Sequence, residues 1–127
     1  MRVTLVVPNF RWGQWDKNTL WHYIPYNLCL LGAAIRDIAD VVILDAYKED
    51  MSEKEFRQEI KSLKPDVVGI TVLFDQYASS GHLAAKLVKQ VSRHIKTIMG
   101  GVYATTNYNK VIADENIDGC VVGEGEV

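Results

Sequence analysis

The stretch that decides the fold is residues 67–72, Val-Val-Gly-Ile-Thr-Val, a short run of mainly aliphatic and β-branched residues in which polar and apolar positions do not alternate. A strand of this kind is covered on both faces, as in a parallel sheet that lies between two layers of helices. Four further runs share this character, at residues 3–7, 41–44, 97–99 with Ile95 before them, and 120–122. The sequence therefore predicts five buried parallel strands.

Helical patterns fill the segments between these runs, marked by apolar residues three or four positions apart or by a capping residue. The first predicted helix has the apolar stripe Leu28, Leu31, Ile35 and Ile38 and ends before Asp40; the second begins at a capping box of Ser52 and Glu55, continues through Phe56, Ile60 and Leu63, and is ended by Pro65. The third is capped by Ser79 or Ser80 and carries Leu83, Leu87, Val88 and Val91. The fourth is shorter, lies at about 107–113, and contains Val111 and Ile112. The predicted order of elements is βαβαβαβαβ.

This alternation predicts an open, doubly wound α/β sheet in three layers, with the flavodoxin-like order of a Rossmann-like fold, because crossovers between parallel strands are right-handed. Ligands of such sheets bind outside the carboxyl ends of the strands. Here those ends lead into the loops that begin at Pro8, Asp45, Leu73, Gly100 and Gly123. The functional residues are therefore expected in these loops.

Composition favours a single soluble domain over residues 1–127. The chain is 48% hydrophobic and 24% charged, with 14 Lys+Arg against 16 Asp+Glu and a net charge of -2. This balance lacks the broad positive surface that binding to a phosphate backbone requires, so no nucleic-acid partner is expected. No apolar run is long enough for a signal-peptide core or a membrane span. The two cysteines, Cys29 and Cys120, are too few for a disulfide scaffold, and a cytoplasmic location is expected.

Three common kinds of protein with this fold are excluded by the residues that their chemistry requires. A receiver domain needs clustered carboxylates after the first strand and a lysine after the fifth, whereas this chain has Pro8-Asn9 at the first place and no lysine at the second. A flavodoxin needs a small, hydroxyl-rich phosphate loop where this chain has the bulky segment 10–15. A dinucleotide site needs Gly-x-Gly-x-x-Gly after the first strand, and this motif is missing there.

The remaining loops offer hydroxyl, apolar and bare main-chain surface, which suits a large and mostly apolar ligand. Thr71-Val72-Leu73 ends the third strand and Gly100-Gly101 ends the fourth. The paired glycines would let a bulky planar group lie against the main chain; the alternative is that they only make a tight turn. Gly123-x-Gly125 repeats the pattern after the fifth strand, or is merely a flexible chain end.

Together these segments resemble the cobalamin-binding domain found at the amino end of many radical S-adenosylmethionine enzymes. The resemblance covers essentially the whole chain and rests on Thr71-Val72-Leu73, on Gly100-Gly101 and on Gly-Glu-Gly-Glu at 123–126. The strings Pro-Asp-Val-Val-Gly-Ile-Thr at 65–71 and Ile-Met-Gly-Gly-Val-Tyr-Ala-Thr at 98–105 are especially similar to the branch that includes the anaerobic magnesium-protoporphyrin monomethyl ester cyclases.

The resemblance implies cobalamin as the ligand, held by its nucleotide tail and corrin edge at the carboxyl edge of the sheet. The residues assigned to these contacts are Thr71, Val72, Leu73, Gly100, Gly101, Val102, Gly123 and Glu124, together with Asn9 and Tyr103. No closing helix follows the last predicted strand, so the chain is expected to be a non-catalytic part of a longer protein. Another domain would supply S-adenosylmethionine and a 4Fe-4S cluster, because Cys29 and Cys120 alone cannot ligate one. The implied reaction is radical ring closure on a porphyrin or methyl transfer to an unactivated carbon.

The sequence departs from cobalamin mutases and methionine synthase at the residue that would bind cobalt. Those proteins carry Asp-x-His-x-x-Gly after the first strand, and this chain does not. His22 lacks the flanking Asp and Gly, His82 falls at a predicted helix start, and His94 falls on a turn expected to be exposed. We therefore expect no histidine ligand to cobalt. A different class of function, a cofactor-free regulatory or protein-interaction module, stays open, because fold alone does not separate the two.

An aromatic-rich segment connects the first strand to the first helix. Residues 10–26 contain six of the 12 Phe, Trp and Tyr residues, namely Phe10, Trp12, Trp15, Trp21, Tyr23 and Tyr26. They form either a satellite hydrophobic cluster under the loop or a surface that packs on the corrin or on the catalytic domain. Asp75, Gln76 and Tyr77 are polar candidates at the same edge, or are simply solvated.

Overall fold

The computed structural model describes residues 1–13 and 24–124. Five parallel strands form one sheet in the order β2-β1-β3-β4-β5, and their bounds are β1 Arg2–Val7, β2 Asp40–Asp45, β3 Val67–Thr71, β4 Lys96–Gly100 and β5 Gly119–Cys120. The helices are α1 Tyr26–Ile35, α2 Glu53–Leu63, α3 Ala78–Val91, α4 Val102–Thr106 and α5 Tyr108–Ile112, with short 3-10 turns at Phe10–Trp12 and Asp75–Tyr77. The predicted flavodoxin-like α/β fold is confirmed.

The strand order creates the ligand-binding edge that such sheets share. Strand β1 pairs with β2 on one side and with β3 on the other, so that Leu5 lies opposite both Ile43 and Gly69. The chain therefore leaves β1 toward one edge of the sheet and returns to build the other half from β3. The loops diverge at this reversal and leave a crevice at the carboxyl ends of the strands.

The two faces of the sheet are covered to different extents. One face carries the larger core, where Val6, Val68 and Met99 pack against side chains from helices other than α1, among them Phe56 of α2 and Leu87 of α3. The opposite face carries a smaller cluster around Leu5, Val7 and Leu28 of helix α1. Beyond α1, within residues 1–13 and 24–124, no second helix packs on this smaller face, and the surface over β3 to β5 is open.

The edge strand β2 departs from the prediction that both faces of every strand are covered. Val42 and Ile43 are 43% and 37% exposed, because β2 has only one neighbouring strand and lies at the margin of the helical layers. The apolar composition of β2 predicted the strand correctly and its burial wrongly.

Helix α2 follows its predicted signals. The Ser52 hydroxyl accepts a hydrogen bond from the Glu55 N–H at 3.1 Å, and the Glu55 carboxylate accepts one from the Ser52 N–H at 3.5 Å. The helix ends at Lys64, whose φ of 50° is left-handed, directly before Pro65. Both ends of this helix were therefore readable from local chemistry.

Two other helix predictions were wrong in detail, and a third was confirmed beside a helix that had not been predicted. Ile38 was predicted to share the apolar stripe of α1, but it is 72% exposed, because the helix ends at Ile35 and Ile38 lies beyond it. Neither Ser79 nor Ser80 caps α3, since the 3-10 turn Asp75–Tyr77 runs directly into the helix and both serines lie in its first turn. The predicted helix at about 107–113 is α5, and a separate helix, α4, precedes it immediately after Gly101.

A buried ion pair fixes the end of α3 to the start of β5. The Lys89 ammonium, 8% exposed as a residue, donates to the Ile95 carbonyl and to the Asp118 carboxylate, both at 2.6 Å. The same carboxylate oxygen accepts the Thr97 N–H at 2.9 Å. The hydrogen bond from Lys89, helped by the one from Thr97, holds the pKa of Asp118 below its ordinary value despite desolvation.

The connections after β3 and β4 touch through their main chains. The Val72 N–H donates to the Gly100 carbonyl and the Val72 carbonyl accepts the Tyr103 N–H, both at 3.1 Å. Gly101 lies between these bonds at φ 100° and ψ -176°, a region that essentially only glycine adopts. A Cβ atom there would lie 2.5 Å from the Val72 carbonyl oxygen. Gly101 is therefore required by the protein's own backbone.

In the part of the chain that the structure describes, no helix is both long and apolar enough to cross a bilayer.

We predict that Asp118→Asn lowers the free energy of unfolding by about 1–3 kcal/mol at neutral pH, because it deprives a buried ammonium of its charged partner. The folded-state pKa of Asp118 lies below the ordinary value of 3.8, so its contribution is complete above that value and is lost as pH falls toward the folded-state pKa. Urea titrations should show the gap to the parent narrowing below about pH 4. Asp37→Asn is the exposed control; a gap that widens in acid would contradict the assignment.

We predict that Gly101→Ala destabilises the fold by about 1–3 kcal/mol or more, because it combines a forbidden backbone conformation with a clash at Val72. Gly100→Ala is the matched control, since its Cβ would make an ordinary 3.6 Å contact with the Val121 Cβ. Thermal or urea unfolding of the two variants tests this difference. Equal stability of the two would show that Gly101 is not constrained by Val72.

Candidate functional site

A cavity of about 450 Å³ opens at the carboxyl edge of β3, β4 and β5, on the sheet face that α1 only partly covers. Seven of the ten predicted site residues line it: Thr71, Leu73, Gly100, Gly101, Val102, Gly123 and Glu124. They meet there because the carboxyl ends of neighbouring parallel strands lie side by side.

The interior of the cavity comes from residues that the loop-based prediction missed. Leu28 and Leu31 of α1 form one wall, and Leu5, Gly69 and Ile98 of the sheet form the floor. Leu5, Gly69 and Ile98 lie opposite one another on adjacent strands and so point to the same face. The signal that could have found them is this alternation, because Gly69 and Gly100 are two strand positions on that face without side chains.

The two glycines of the 100–101 pair have different roles. At Gly100 a Cβ would make only an ordinary contact, and a longer side chain would extend into the cavity that Gly100 lines. At Gly101 the main chain of Val72 already fills the space. The tight-turn interpretation therefore holds for Gly101, and bare surface is presented to the cavity at Gly100.

Polar groups are few in this mostly apolar cavity. The Thr71 hydroxyl oxygen, in a residue only 2% exposed, accepts a hydrogen bond from the Asn27 side-chain N–H at 3.0 Å. No group among residues 1–13 and 24–124 accepts the hydroxyl hydrogen of Thr71 in return. Thr105 is committed elsewhere, since its hydroxyl donates to the Gly101 carbonyl and accepts the Gly123 N–H, each at 3.0 Å.

Three predicted site residues lie outside the cavity and have structural roles. The buried Asn9 side chain donates to the Asp50 carboxylate and to the Met51 carbonyl, both at 3.0 Å, and so holds the loop after β2. Val72 is buried in the larger core, where its side chain fills the space beside Gly81. Tyr103 points into the same core. A strand-end position in the sequence did not reveal which way these side chains turn.

A hydrogen-bonded chain anchors Tyr103. Its hydroxyl lies 3.0 Å from His82 Nε2, and His82 Nδ1 lies 2.7 Å from the Asp114 carboxylate. Desolvation, with the negative charges of Asp75 and Asp114, raises the pKa of Tyr103, so the phenol stays protonated. Burial acts to raise the pKa of Asp114, but hydrogen bonds from Asn116 and His82 hold it below its usual value. The ionised Asp114 carboxylate can only accept, so His82 Nδ1–H donates to it, and the ring of His82 bridges that carboxylate and the Tyr103 hydroxyl.

The histidines lie away from the cavity where they can be placed. His82 is the fifth residue of α3, so the prediction that it sits at the helix start was wrong. His94 lies on an exposed turn before β4, as predicted, at the opposite edge of the sheet from the cavity. His22 lies outside the described residues. In residues 1–13 and 24–124, no group of three His, Cys, Asp or Glu side chains is placed to hold a metal ion.

The aromatic segment is described only at its two ends. The Phe10 ring stacks on Tyr77 with centroids 4.2 Å apart, and Trp12 meets Phe56 edge-on at 5.3 Å. Both rings pack under the loops and neither lines the cavity, which matches the satellite-cluster alternative. Trp15, Trp21 and Tyr23 lie outside the described residues, and Tyr26 is exposed.

The polar candidates after β3 do not line the cavity either. Asp75 is exposed and accepts a hydrogen bond from the Asn107 side chain at 3.3 Å, while Gln76 is exposed. Tyr77 is half-buried under the stacked ring of Phe10. The solvated alternative therefore fits Asp75 and Gln76.

The sequence matches the model of the "B12 binding domain" family over residues 21–127. It is 33% identical over 129 residues to the anaerobic magnesium-protoporphyrin IX monomethyl ester cyclase of Rubrivivax gelatinosus, covering 99% of this chain and 23% of the relative. It is 32% identical over 108 residues to an uncharacterized methyltransferase of Pyrococcus horikoshii, covering 81% of this chain and 22% of the relative. The chain thus spans less than a quarter of the length of either relative.

Solved structures support the fold. A cobalamin-binding protein from Desulfitobacterium hafniense DCB-2 aligns with a TM-score of 0.63 at 16% identity, covering 97% of this chain and 53% of that one. Response regulators and their receiver domains align with TM-scores of 0.58 to 0.60, which shows that the fold alone does not identify the ligand. The family match, in contrast, covers most of the sequence, and it shows that this chain belongs to the B12-binding domain family.

Proposed function

We propose that this chain binds cobalamin in the cavity at the carboxyl edge of its sheet. The observation that carries the proposal is the open, apolar surface beside α1, in a chain of the B12-binding family. A cavity of about 450 Å³ is of the size that holds one compact ligand group. It therefore takes the nucleotide tail of cobalamin, and the larger corrin lies across the rim.

The residues of the cavity fit such a tail. Thr71 presents a hydroxyl hydrogen that lacks an acceptor among the described residues, so it can donate to a ring nitrogen of the bound base. Gly100 leaves the sheet bare where a flat ring needs close approach, and at Gly69 only the tip of the Leu5 side chain lies close to the main chain. Leu28 and Leu31 supply apolar contact on the other side.

Roles for the predicted contact residues follow from their positions. The seven residues that line the cavity, from Thr71 to Glu124, contact the tail and the corrin edge in this proposal. Val72 acts through its main chain, which sets the course of the glycine loop, and Tyr103 anchors the helix that follows. Asn9 stabilises the neighbouring loop.

We further propose that the protein supplies no histidine ligand to cobalt. His82 is engaged by Asp114 and Tyr103, and His94 lies at the far edge of the sheet, which supports the proposal. Bound cobalamin supplies a redox-active cobalt that can carry a methyl group. This chain's own residues hold the cofactor and exclude water from its tail.

For the whole protein we propose a radical S-adenosylmethionine enzyme of the cytoplasm, in which another domain holds the 4Fe-4S cluster and performs catalysis. The cyclase relative supports ring closure on a porphyrin, and the methyltransferase relative supports methyl transfer as the alternative. A Cys-x-x-x-Cys-x-x-Cys run elsewhere in the full-length sequence would be expected, since such clusters are held by cysteine thiolates.

We predict that the full-length protein, mixed with hydroxocobalamin and desalted, retains corrin absorbance in the visible spectrum. Gly100→Leu should weaken retention at least about tenfold, a cost of about 1.4 kcal/mol, because the new side chain occupies the cavity. Gly100→Ala is the control and should bind nearly as the parent does. Gly101 is unsuitable here, since any side chain there disturbs the fold.

Two results would overturn the proposal. No retention by the parent protein would favour the cofactor-free interaction module. Undiminished retention by Gly100→Leu, with unchanged urea unfolding, would show that cobalamin binds somewhere other than this cavity.

A further inference from the structure

We propose that Asn27 determines which corrinoid this cavity accepts, and that it favours a lower base with a polar edge, of the purine kind, over 5,6-dimethylbenzimidazole. This inference rests on the proposed function and concerns the same cavity. Asn27 lies in the first turn of α1, lines the cavity, and was not among the residues that the loops pointed to.

Besides the exposed carboxylate of Glu124, the unused hydrogen-bonding capacity of the cavity lies at Asn27 and Thr71. One side-chain N–H of Asn27 donates to Thr71. The second N–H and the carbonyl oxygen of that amide have no partner among residues 1–13 and 24–124, and the side chain is exposed. Thr71 adds its free hydroxyl hydrogen beside them. Thr105, the other hydroxyl of the lining, has both of its functions occupied.

A ligand that fills the cavity must therefore replace the water on an amide donor and an amide acceptor. A purine base offers an exocyclic amino group and ring nitrogens, which pair with both. The two methyl groups of dimethylbenzimidazole pair with neither, so the amide groups that such a base covers would lose their water without gaining a partner. A site that hydrogen-bonds one ligand binds the analogue without those groups more weakly, so cobalamin is still bound but is the weaker of the two.

Thr71 contributes to the affinity for both kinds of base, and Asn27 to the selectivity between them. The hydroxyl of Thr71 can donate to a ring nitrogen that both kinds of base possess, so it contributes to affinity without selecting between them. Asn27 offers a donor and an acceptor on one amide, and only the purine carries the groups that pair with both. The apolar residues Leu28 and Leu31 contact either ring without preference.

The test compares equilibrium binding of two corrinoids, cobalamin and its adenine-based counterpart, to the full-length protein by visible absorbance. The parent should bind the adenine-based form about tenfold more tightly or better. Asn27→Leu, of similar volume and without polar groups, should shift the ratio of the two dissociation constants at least tenfold toward cobalamin. Thr71→Val should weaken both and leave their ratio unchanged.

Asn109→Leu is the matched control, because it makes the same substitution on exposed helix α5, away from the cavity. The ratio of two constants is insensitive to loss of folded protein, which would lower both signals equally. A ratio that Asn27→Leu leaves unchanged, or an equal loss of both corrinoids, would overturn the inference while the proposed function stands. Failure of the parent to bind either corrinoid would instead overturn the proposed function.

Discussion

The carboxyl edge of this sheet is organised by the close contact between the Val72 main chain and Gly101. The Val72 N–H bonds to Gly100, the last residue of β4, and the Val72 carbonyl bonds to Tyr103 of α4. The carbonyl oxygen leaves no room for a side chain at Gly101 between those bonds. This contact fixes the start of α4 and places Leu73 and Val102 on the rim. The shape of the cavity mouth is thus set in part by backbone hydrogen bonds, whose donors and acceptors every residue except proline supplies.

One face of the sheet is densely packed, and the opposite face holds the cavity. The face that carries α2 and α3 holds the larger core and the chain of hydrogen bonds from Asp114 through His82 to Tyr103. The other face has only α1 over a smaller cluster in the described residues, and the cavity occupies what α1 leaves uncovered. A ligand on the open face would therefore contact loops that are anchored from the closed one.

The sequence could predict much of this because strand character and capping are local. The five apolar runs, the capping box at Ser52 and the ligand edge follow from patterns within a few residues. The interior of the cavity does not, since Gly69 and Ile98 become neighbours only through strand register. For the same reason Asn27 and Thr71, 44 residues apart in sequence, could not be paired in advance.

Side chains that do not point where a local pattern suggests share a common cause. Asn9 and Tyr103 follow strand ends, as ligand residues do, yet their side chains turn toward other loops and the larger core. Ile38 fits the helical stripe but lies after the helix has ended. Periodicity gives the spacing of residues, whereas direction depends on packing partners that are distant in the chain.

The Thr105 hydroxyl has a mechanical consequence. Its hydrogen is donated to the Gly101 carbonyl, and its oxygen accepts the Gly123 N–H. One hydroxyl group therefore joins the chain segments that follow β4 and β5. A displacement of the main chain at Gly123 would therefore pull on Gly101 through the Thr105 hydroxyl. The ends of β4 and β5 are thereby coupled through one hydroxyl, and a displacement of either would strain its hydrogen bond to the other.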